Sequence, residues 1–200
     1  MDAVVIDTLP PLDWTNGPGS VSQTHNGTLL LTAAAGTDWT NSALGDTHQH
    51  GATALGFVPT RDFWLSARVS VPTERTTYDA GALAIWGDAD HWAKLCFEYS
   101  PQGEAMVVSV VTNEYSDDCN STIVTGDHVY LRVIRSGPGW AFHSSADGVS
   151  WDFVRVFRLA FEGEVRVGFV AQAPKGETCT AAFDHLAYGT DVPGNLRDGS

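Results

Sequence analysis

The sequence predicts an all-β sandwich or jelly roll, on three observations. Apolar residues recur with period two along most of the chain, turn signals punctuate it at short intervals, and no stretch carries a sustained helical period with caps. Phe63, Leu65, Ala67, Val69 and Val71 alternate with Asp62, Trp64, Ser66, Arg68 and Ser70. Val129, Leu131 and Val133 alternate with His128, Tyr130 and Arg132, and Val165, Val167 and Phe169 with Arg166 and Gly168. Between such runs lie Gly87-Asp88, Pro101-Gln102-Gly103, Ser136-Gly137-Pro138-Gly139, Asp147-Gly148 and Pro174-Lys175-Gly176. About ten to twelve short strands at this spacing are expected.

Composition narrows what such a fold can do. At 200 residues, 43% apolar and only 18% charged, the chain has enough material for one real core and is too apolar for a disordered segment. No apolar run approaches the ~18 residues of a spanning helix, so no membrane partner is expected. Eleven Lys+Arg against 24 Asp+Glu leave a net charge of −13, which argues against nucleic acid as a partner. No repeat or linker divides the chain, so a single domain over residues 1–189 is expected, with a polar, turn-rich tail over 190–200 that frays. The N-terminus lacks the basic and apolar regions of a signal peptide, and the expected location is cytoplasmic.

Cys96, Cys119 and Cys179 have no metal-ligand spacing; free buried thiols or a Cys119–Cys179 disulfide are both open. Two glycosylation-type triplets begin at Asn26 and Asn120. His48-Gln49-His50 puts two imidazoles on one side of an extended segment without a third ligand, so no metal is expected. There is no nucleophile elbow, phosphate loop, dinucleotide fingerprint or zincin motif, and no cofactor is expected. Oligomeric state does not follow from these features.

The central strands, near 79–86, 91–99 and 104–112, have a register that can be worked out. A four-residue loop over 87–90 puts Trp86 opposite His91, Leu83 opposite Lys94, Gly81 opposite Cys96 and Asp79 opposite Glu98. A loop over 100–103 then sets Lys94 opposite Ser109 and Trp92 opposite Val111. On this register Ala80, Ala82, Ala84, Ala93, Leu95, Phe97, Met106, Val108 and Val110 face the core. The other face carries Asp79, Trp92, Lys94, Glu98 and Ser109.

That face is the candidate site. Opposed carboxylates at Asp79 and Glu98, with Cβ atoms about 4.5–5.5 Å apart and Lys94 beside them, form a titratable cluster fit for general acid–base work. An ordinary solvated sheet face would carry the same charges. Trp39, Trp64, Trp92 and Tyr78 fall on loop or polar-parity positions, where rings either stack on a ligand or lie under a loop. Ser109 and Asn113 lie in a segment that leaves the third strand as a long polar loop, where Ser116-Asp117-Asp118 either offer hydrogen bonds to hydroxyls or oxygens for calcium, or simply hold a turn.

In order along the chain, Asp38-Trp39, Asp62-Phe63, Tyr78-Asp79-Ala80-Gly81-Ala82-Leu83, Trp92 to Glu98, Ser109-Val110-Val111-Thr112 with Ser116-Asp117, and Ser145-Ala146-Asp147-Gly148 with Trp151 resemble the regulation-of-enolase-like family of concanavalin A-like jelly rolls. The resemblance spans about residues 12–188. It implies two stacked, curved antiparallel sheets with a concave ligand-binding face. Departures from the family pattern are Cys96 and Asn113-Glu114-Tyr115. Related endoglucanases carry Glu-x-Asp-x-x-Glu on a strand; here Tyr-Ser-Pro follows Glu98, and that strand motif is missing.

Two functions suit these residues. The first is a binding domain for a saccharide or similar small polyhydroxylated molecule, using Trp92, Trp39, Trp64, Ser109, Asn113 and Asp117. The second is a cofactor-independent enzyme (glycoside cleavage, elimination, isomerisation or cyclisation) with Glu98 or Asp79 as acid/base and Lys94 as electrostatic stabiliser.

Overall fold

The computed structural model describes residues 4–24, 26–72 and 74–199. Among them are sixteen strands and no helix, so none is long and apolar enough to cross a membrane. The first eight are β1 (Asp13–Trp14), β2 (Ser20–Gln23), β3 (Leu29–Ala34), β4 (Trp39–Asn41), β5 (His48–His50), β6 (Ala54–Phe57), β7 (Phe63–Ser70) and β8 (Ala80–Asp88). The remainder are β9 (His91–Tyr99), β10 (Ala105–Asn113), β11 (Tyr115–Ile123), β12 (His128–Ser136), β13 (Gly139–Ser145), β14 (Asp152–Phe157), β15 (Arg166–Gln172) and β16 (Thr178–Gly189). They build two seven-stranded antiparallel sheets, in the orders β1-β6-β15-β8-β9-β10-β11 and β14-β13-β12-β7-β16-β3-β2, and a two-stranded ribbon, β4-β5. The two sheets stack as the sandwich that the period-two pattern predicts.

Alternation decides what lies between the sheets. Leu83, Ile85, Ala93, Leu95, Phe97, Val107 and Phe169 of the first sheet meet Leu31, Leu65, Val69, Leu131, Val133, Phe142 and Phe183 of the second. Each large side chain so buried contributes about 1.5–3 kcal/mol by leaving water. A second, smaller apolar cluster lies on the outer face of the first sheet, where Trp39 of the ribbon covers Ala80, Ala82, Ala84, Trp92 and Cys96.

Both central hairpins depart from the expected register by one residue. In the first, Trp86 pairs with Trp92 and Asp88 with His91, so Gly87 is an extra, bulged residue rather than part of a four-residue loop. A Cβ at Gly87 would lie 2.8 Å from the Phe161 ring and 2.9 Å from the His91 carbonyl oxygen, so the bulge needs glycine. In the second hairpin Tyr99 pairs with Ala105, because Ser100 N bonds Glu104 O and Gly103 turns at a φ of 82°. The loop is one residue longer than expected. Ala80 therefore faces Glu98, Ala84 and Val110 flank Lys94, and Ser109 faces Leu95.

The strand between the hairpins keeps its expected sidedness, with Ala93, Leu95 and Phe97 inward and Lys94 and Glu98 outward. It is β8 and β10 that turn over. The alanines 80, 82 and 84, with Met106, Val108 and Val110, line the outer face instead of the core, and Ser109 points inward.

One further expectation changes. Residues 115–123 are not a loop but the edge strand β11, joined to β10 through Glu114 at a φ of 71°. The described part of the tail, residues 190–199, has contacts with the sandwich. It runs back over the outer face of the second sheet, where Leu196 O accepts from His143 Nε2 and Gly199 O from Arg132 Nη2, each at 2.7 Å. Two main-chain carbonyls of the tail thus serve two buried donors. All three cysteines are free, Cys96 and Cys179 buried and Cys119 exposed.

Candidate functional site

A cleft of about 270 Å³ opens on the outer face of the first sheet, between β9–β11, β15, Tyr78 and the ribbon. The ribbon is fastened over the sheet at two points. At one end Asn41, 1% exposed, donates through Nδ2 to Ala89 O and Glu114 O and binds His50 Nε2 through Oδ1 at 2.8 Å. At the other, Lys94 Nζ reaches up from β9 to Asp38 Oδ1 (2.7 Å), Trp39 O (2.9 Å) and, sideways on β15, Gln172 Oε1 (2.7 Å). All three ammonium protons are used, so this 3%-exposed lysine is fully satisfied. The small side chains of Ala82 and Ala84 on the neighbouring strand leave the room it occupies.

Glu98 lies two residues along the same face. Its one hydrogen bond among the described residues comes from Gln172 Nε2 at 3.5 Å, and Gln172 Nε2 also donates to Tyr78 O at 2.9 Å. Burial raises the Glu98 carboxyl to about 7; Lys94 pulls against this, and the Asp38 and Asp118 carboxylates add to it. Asp118 on β11 is raised in the same way, by burial and by Asp38 and Asp117 against Lys94. For Lys94 itself burial opposes the charge, but the Asp38 carboxylate outweighs it and raises the group. Cys96, on the floor between Lys94 and Glu98, is raised far up by burial and is not a thiolate. At the mouth, Tyr78 sits at a φ of 70°, a conformation that non-glycine residues adopt at a cost.

Of the residues singled out in the sequence, the cleft brings together Lys94, Glu98, Trp39 and Tyr78. Trp92 is beneath them, fully buried, with its ring 5.7 Å from Trp39. Neither tryptophan offers an open stacking face, because the ribbon lies over Trp92 and Trp39 turns its indole N–H to Ala52 O.

The others lie elsewhere. Asp79 is not opposite Glu98. Its carboxylate takes the Thr76 amide at 2.8 Å, outside the cleft, and burial raises it. Ser109 is inside the sandwich. Trp64 is on the outer face of the other sheet, Asn113 binds Ala160 N and Arg158 O beyond the hairpin end, and Asp117 pairs with Arg155 at 2.9 Å. The one-residue shift explains Asp79 and Ser109, and the continuation of β11 as a strand explains Asp117.

Asp118, from the acidic pair singled out in the sequence, also lines the cleft, together with Asp38, Gln172, Asn120 and Thr40, which the sequence does not mark as site residues. Asp38 and Gln172 come from segments distant in the chain; Asp38-Trp39 is part of the family resemblance without a role attached, and nothing near Gln172 sets it apart from ordinary strand polar residues. No group of three or more metal-ligating side chains occurs among the described residues.

Comparison with known proteins places this geometry in a wider set. The solved structure of a functionally unknown protein from Saccharomyces cerevisiae has a TM-score of 0.79 and 26% identity, covering 91% of this chain and 97% of that one. A xylan β-1,4-xylosidase from Bacillus halodurans matches at a TM-score of 0.68 and 16% identity, over 94% of this chain but only 40% of its own. An alginate lyase from Klebsiella pneumoniae matches at 0.56 and 12% identity, over 85% and 84% of the two chains. The chain therefore shares its jelly-roll sandwich with domains of carbohydrate-active enzymes. Among curated proteins none matches. A family model described as "protein of unknown function (DUF1349)" matches residues 14–190, and with that match over most of its length the chain belongs to the DUF1349 family.

Proposed function

We propose that the cleft over β9 binds one unit of a neutral saccharide or a similar polyhydroxylated molecule. The observation that carries this reading is the convergence of Glu98, Asp118, Asn120, Thr40 and Tyr78 on a space floored by Val108 and Val110. A sugar ring has hydroxyls around its edge and apolar C–H faces, and such a lining meets both. The volume is just below the ~300 Å³ at which pockets for drug-sized ligands begin, which suits a single ring. Acidic groups at the rim disfavour an anionic ligand. The named activity of the xylosidase, built on the same sandwich, fits the reading. The same proposal keeps the resemblance to the regulation-of-enolase-like family, a cytoplasmic location and no cofactor.

A panel of neutral mono- and oligosaccharides, scored by ligand-induced shifts in melting temperature, tests it, since binding to the native state raises stability by mass action. At least one sugar should give a saturable shift that Glu98→Gln or Asn120→Ala weakens. No shift with any sugar at millimolar concentration would sink the proposal.

A second reading is catalytic, and the elevated Glu98 carboxyl favours it. A group near 7 can both give and take a proton at neutral pH. Lys94, with every proton engaged, would act through its field rather than by direct contact. If a turned-over substrate is found, Glu98→Gln should abolish turnover and change affinity by less than about tenfold, ~1.4 kcal/mol. Wild-type turnover in that variant would remove Glu98 as the acid/base.

A further inference from the structure

We propose that the outer face of the second sheet holds a separate ligand site, for a small ring-shaped carboxylate of the acidic-sugar class, with Arg132 as its anion anchor. A cavity of about 320 Å³ lies there, between β7, β12, the turn before β14 and β16. Its walls carry the rings of Trp64, Tyr130 and Trp151, all half-buried and none of them part of the sandwich core.

Arg132 sets the chemistry. The residue is 8% exposed, with its guanidinium 4.2 Å from the centre of the Trp151 ring. Gly199 O takes one proton of Nη2, Nε is sealed without a partner, and no carboxylate pairs with it among the described residues. Burial alone pulls it down to about 10. Buried cations are ordinarily paired, and this one is left with unused donors at a cavity wall.

Of the acids around it, Asp184 is ion-paired and Asp198 hydrogen-bonded elsewhere, while Asp147 is held through one oxygen only. Asp147 lines the cavity, but its Oδ1 accepts from Ser145 Oγ, Val149 N and Ser150 N. Asp184 is held by Arg68 through two bonds of 2.7 and 2.6 Å. Asp198, in the tail, accepts from Asn195 Nδ2.

One unpaired guanidinium matches one negative charge, and its planar fork matches a carboxylate best. Around it stand ring faces for stacking and the hydroxyls of Ser66 and Tyr130, with the second Asp147 oxygen as an acceptor. Charge, ring and hydroxyls together describe a uronate. A benzoate-like acid would leave the polar wall unused. The tail, by holding the far edge of the guanidinium through Gly199, fixes the direction in which the rest of it points.

The test is calorimetric titration of the full chain with glucuronate, galacturonate and a short oligouronide, against glucose and benzoate. At least one uronate should bind at millimolar or tighter Kd, with glucose and benzoate at least tenfold weaker. A preference for the oligouronide marks a polysaccharide source; a preference for the monosaccharide marks a free acid. Arg132→Gln should weaken binding at least tenfold and Trp64→Ala several-fold, while Glu98→Gln on the opposite sheet leaves it within twofold. If Arg132→Gln does not fold, uronate-induced shifts of the Trp64 and Trp151 indole N–H resonances in the unaltered protein take its place. Absence of uronate binding, equal binding of glucose or benzoate, or unchanged binding in Arg132→Gln would each overturn the proposal, whatever the outcome at the neutral-sugar cleft.

Discussion

Each sheet of the sandwich buries one long cationic side chain on its outer face, and the surroundings of the two differ in kind. Lys94 on the first sheet has three acceptors, one of them the Asp38 carboxylate, and its neighbours raise its proton affinity. Arg132 on the second has a single carbonyl and no charge partner among the described residues, and burial lowers its proton affinity. A fully satisfied cation is a fastening, and here it fastens the ribbon that roofs the cleft. An unsatisfied one keeps its electrostatic demand for something else. By this contrast the two faces suit ligands of different charge, neutral on the first and anionic on the second.

The largest expected effect tests that contrast directly. Lys94→Met leaves Asp38 against a buried methyl group, and breaking a buried pair from one side costs about 3–5 kcal/mol. Arg132→Met removes a charge with no counter-ion among the described residues, losing about one hydrogen bond, ~1 kcal/mol. Urea unfolding of both variants measures the difference; equal losses would break the comparison.

Next in size is a pH effect confined to the first face. With its native carboxyl raised from 4.5 to about 7, Glu98 keeps a proton that the unfolded chain has already released in that window. Stability contributed by this group therefore falls as pH rises from about 4.5 to about 7 and stays lower above, by on the order of 3 kcal/mol. Glu98→Gln should remove that slope and be the more stable of the two at pH 8. A pair of stability–pH curves that run parallel would assign the native Glu98 an ordinary carboxyl.

The smallest effect compares hairpins of the two sheets. Gly87→Ala forces a Cβ against Phe161 and the His91 carbonyl and should cost about 1–3 kcal/mol. In the β12–β13 hairpin Gly137 has open space and only a φ of 55° to accommodate, so Gly137→Ala should cost about 1 kcal/mol. Thermal unfolding of both variants ranks them. An innocuous Gly87→Ala would mean that the bulge accepts a side chain.

How much of this was legible in the sequence follows from what each signal depends on. Period-two alternation depends only on which residues meet water, so the sandwich and the sidedness of Ala93, Leu95 and Phe97 could be read directly. Register across a hairpin depends on one residue in the turn, and Gly87 looks the same in a loop as in a bulge. Once β8 and β10 slip, apolar residues still face something apolar, because the ribbon makes a second apolar layer outside the sheet. That is also why Trp39 and Trp92 are covered although their positions read as open. Asp38 and Gln172 were not legible as site residues, since what makes them functional is a lysine brought to them by the fold.

The edge strand β11 has its own consequence. Nine residues long and almost wholly exposed, it borders the first sheet and is a ready template for a strand from another molecule. Its Asp117 carbonyl is already taken by Arg155 Nη1 at 3.0 Å, reaching across from β14 at the rim of the opposite sheet. Any strand adding there would have to displace that arginine and lie beside two adjacent carboxylates, Asp117 and Asp118, on a chain of net charge −13. Resistance to edge-to-edge self-association, and with it colloidal stability at high concentration, rests on that short acidic stretch.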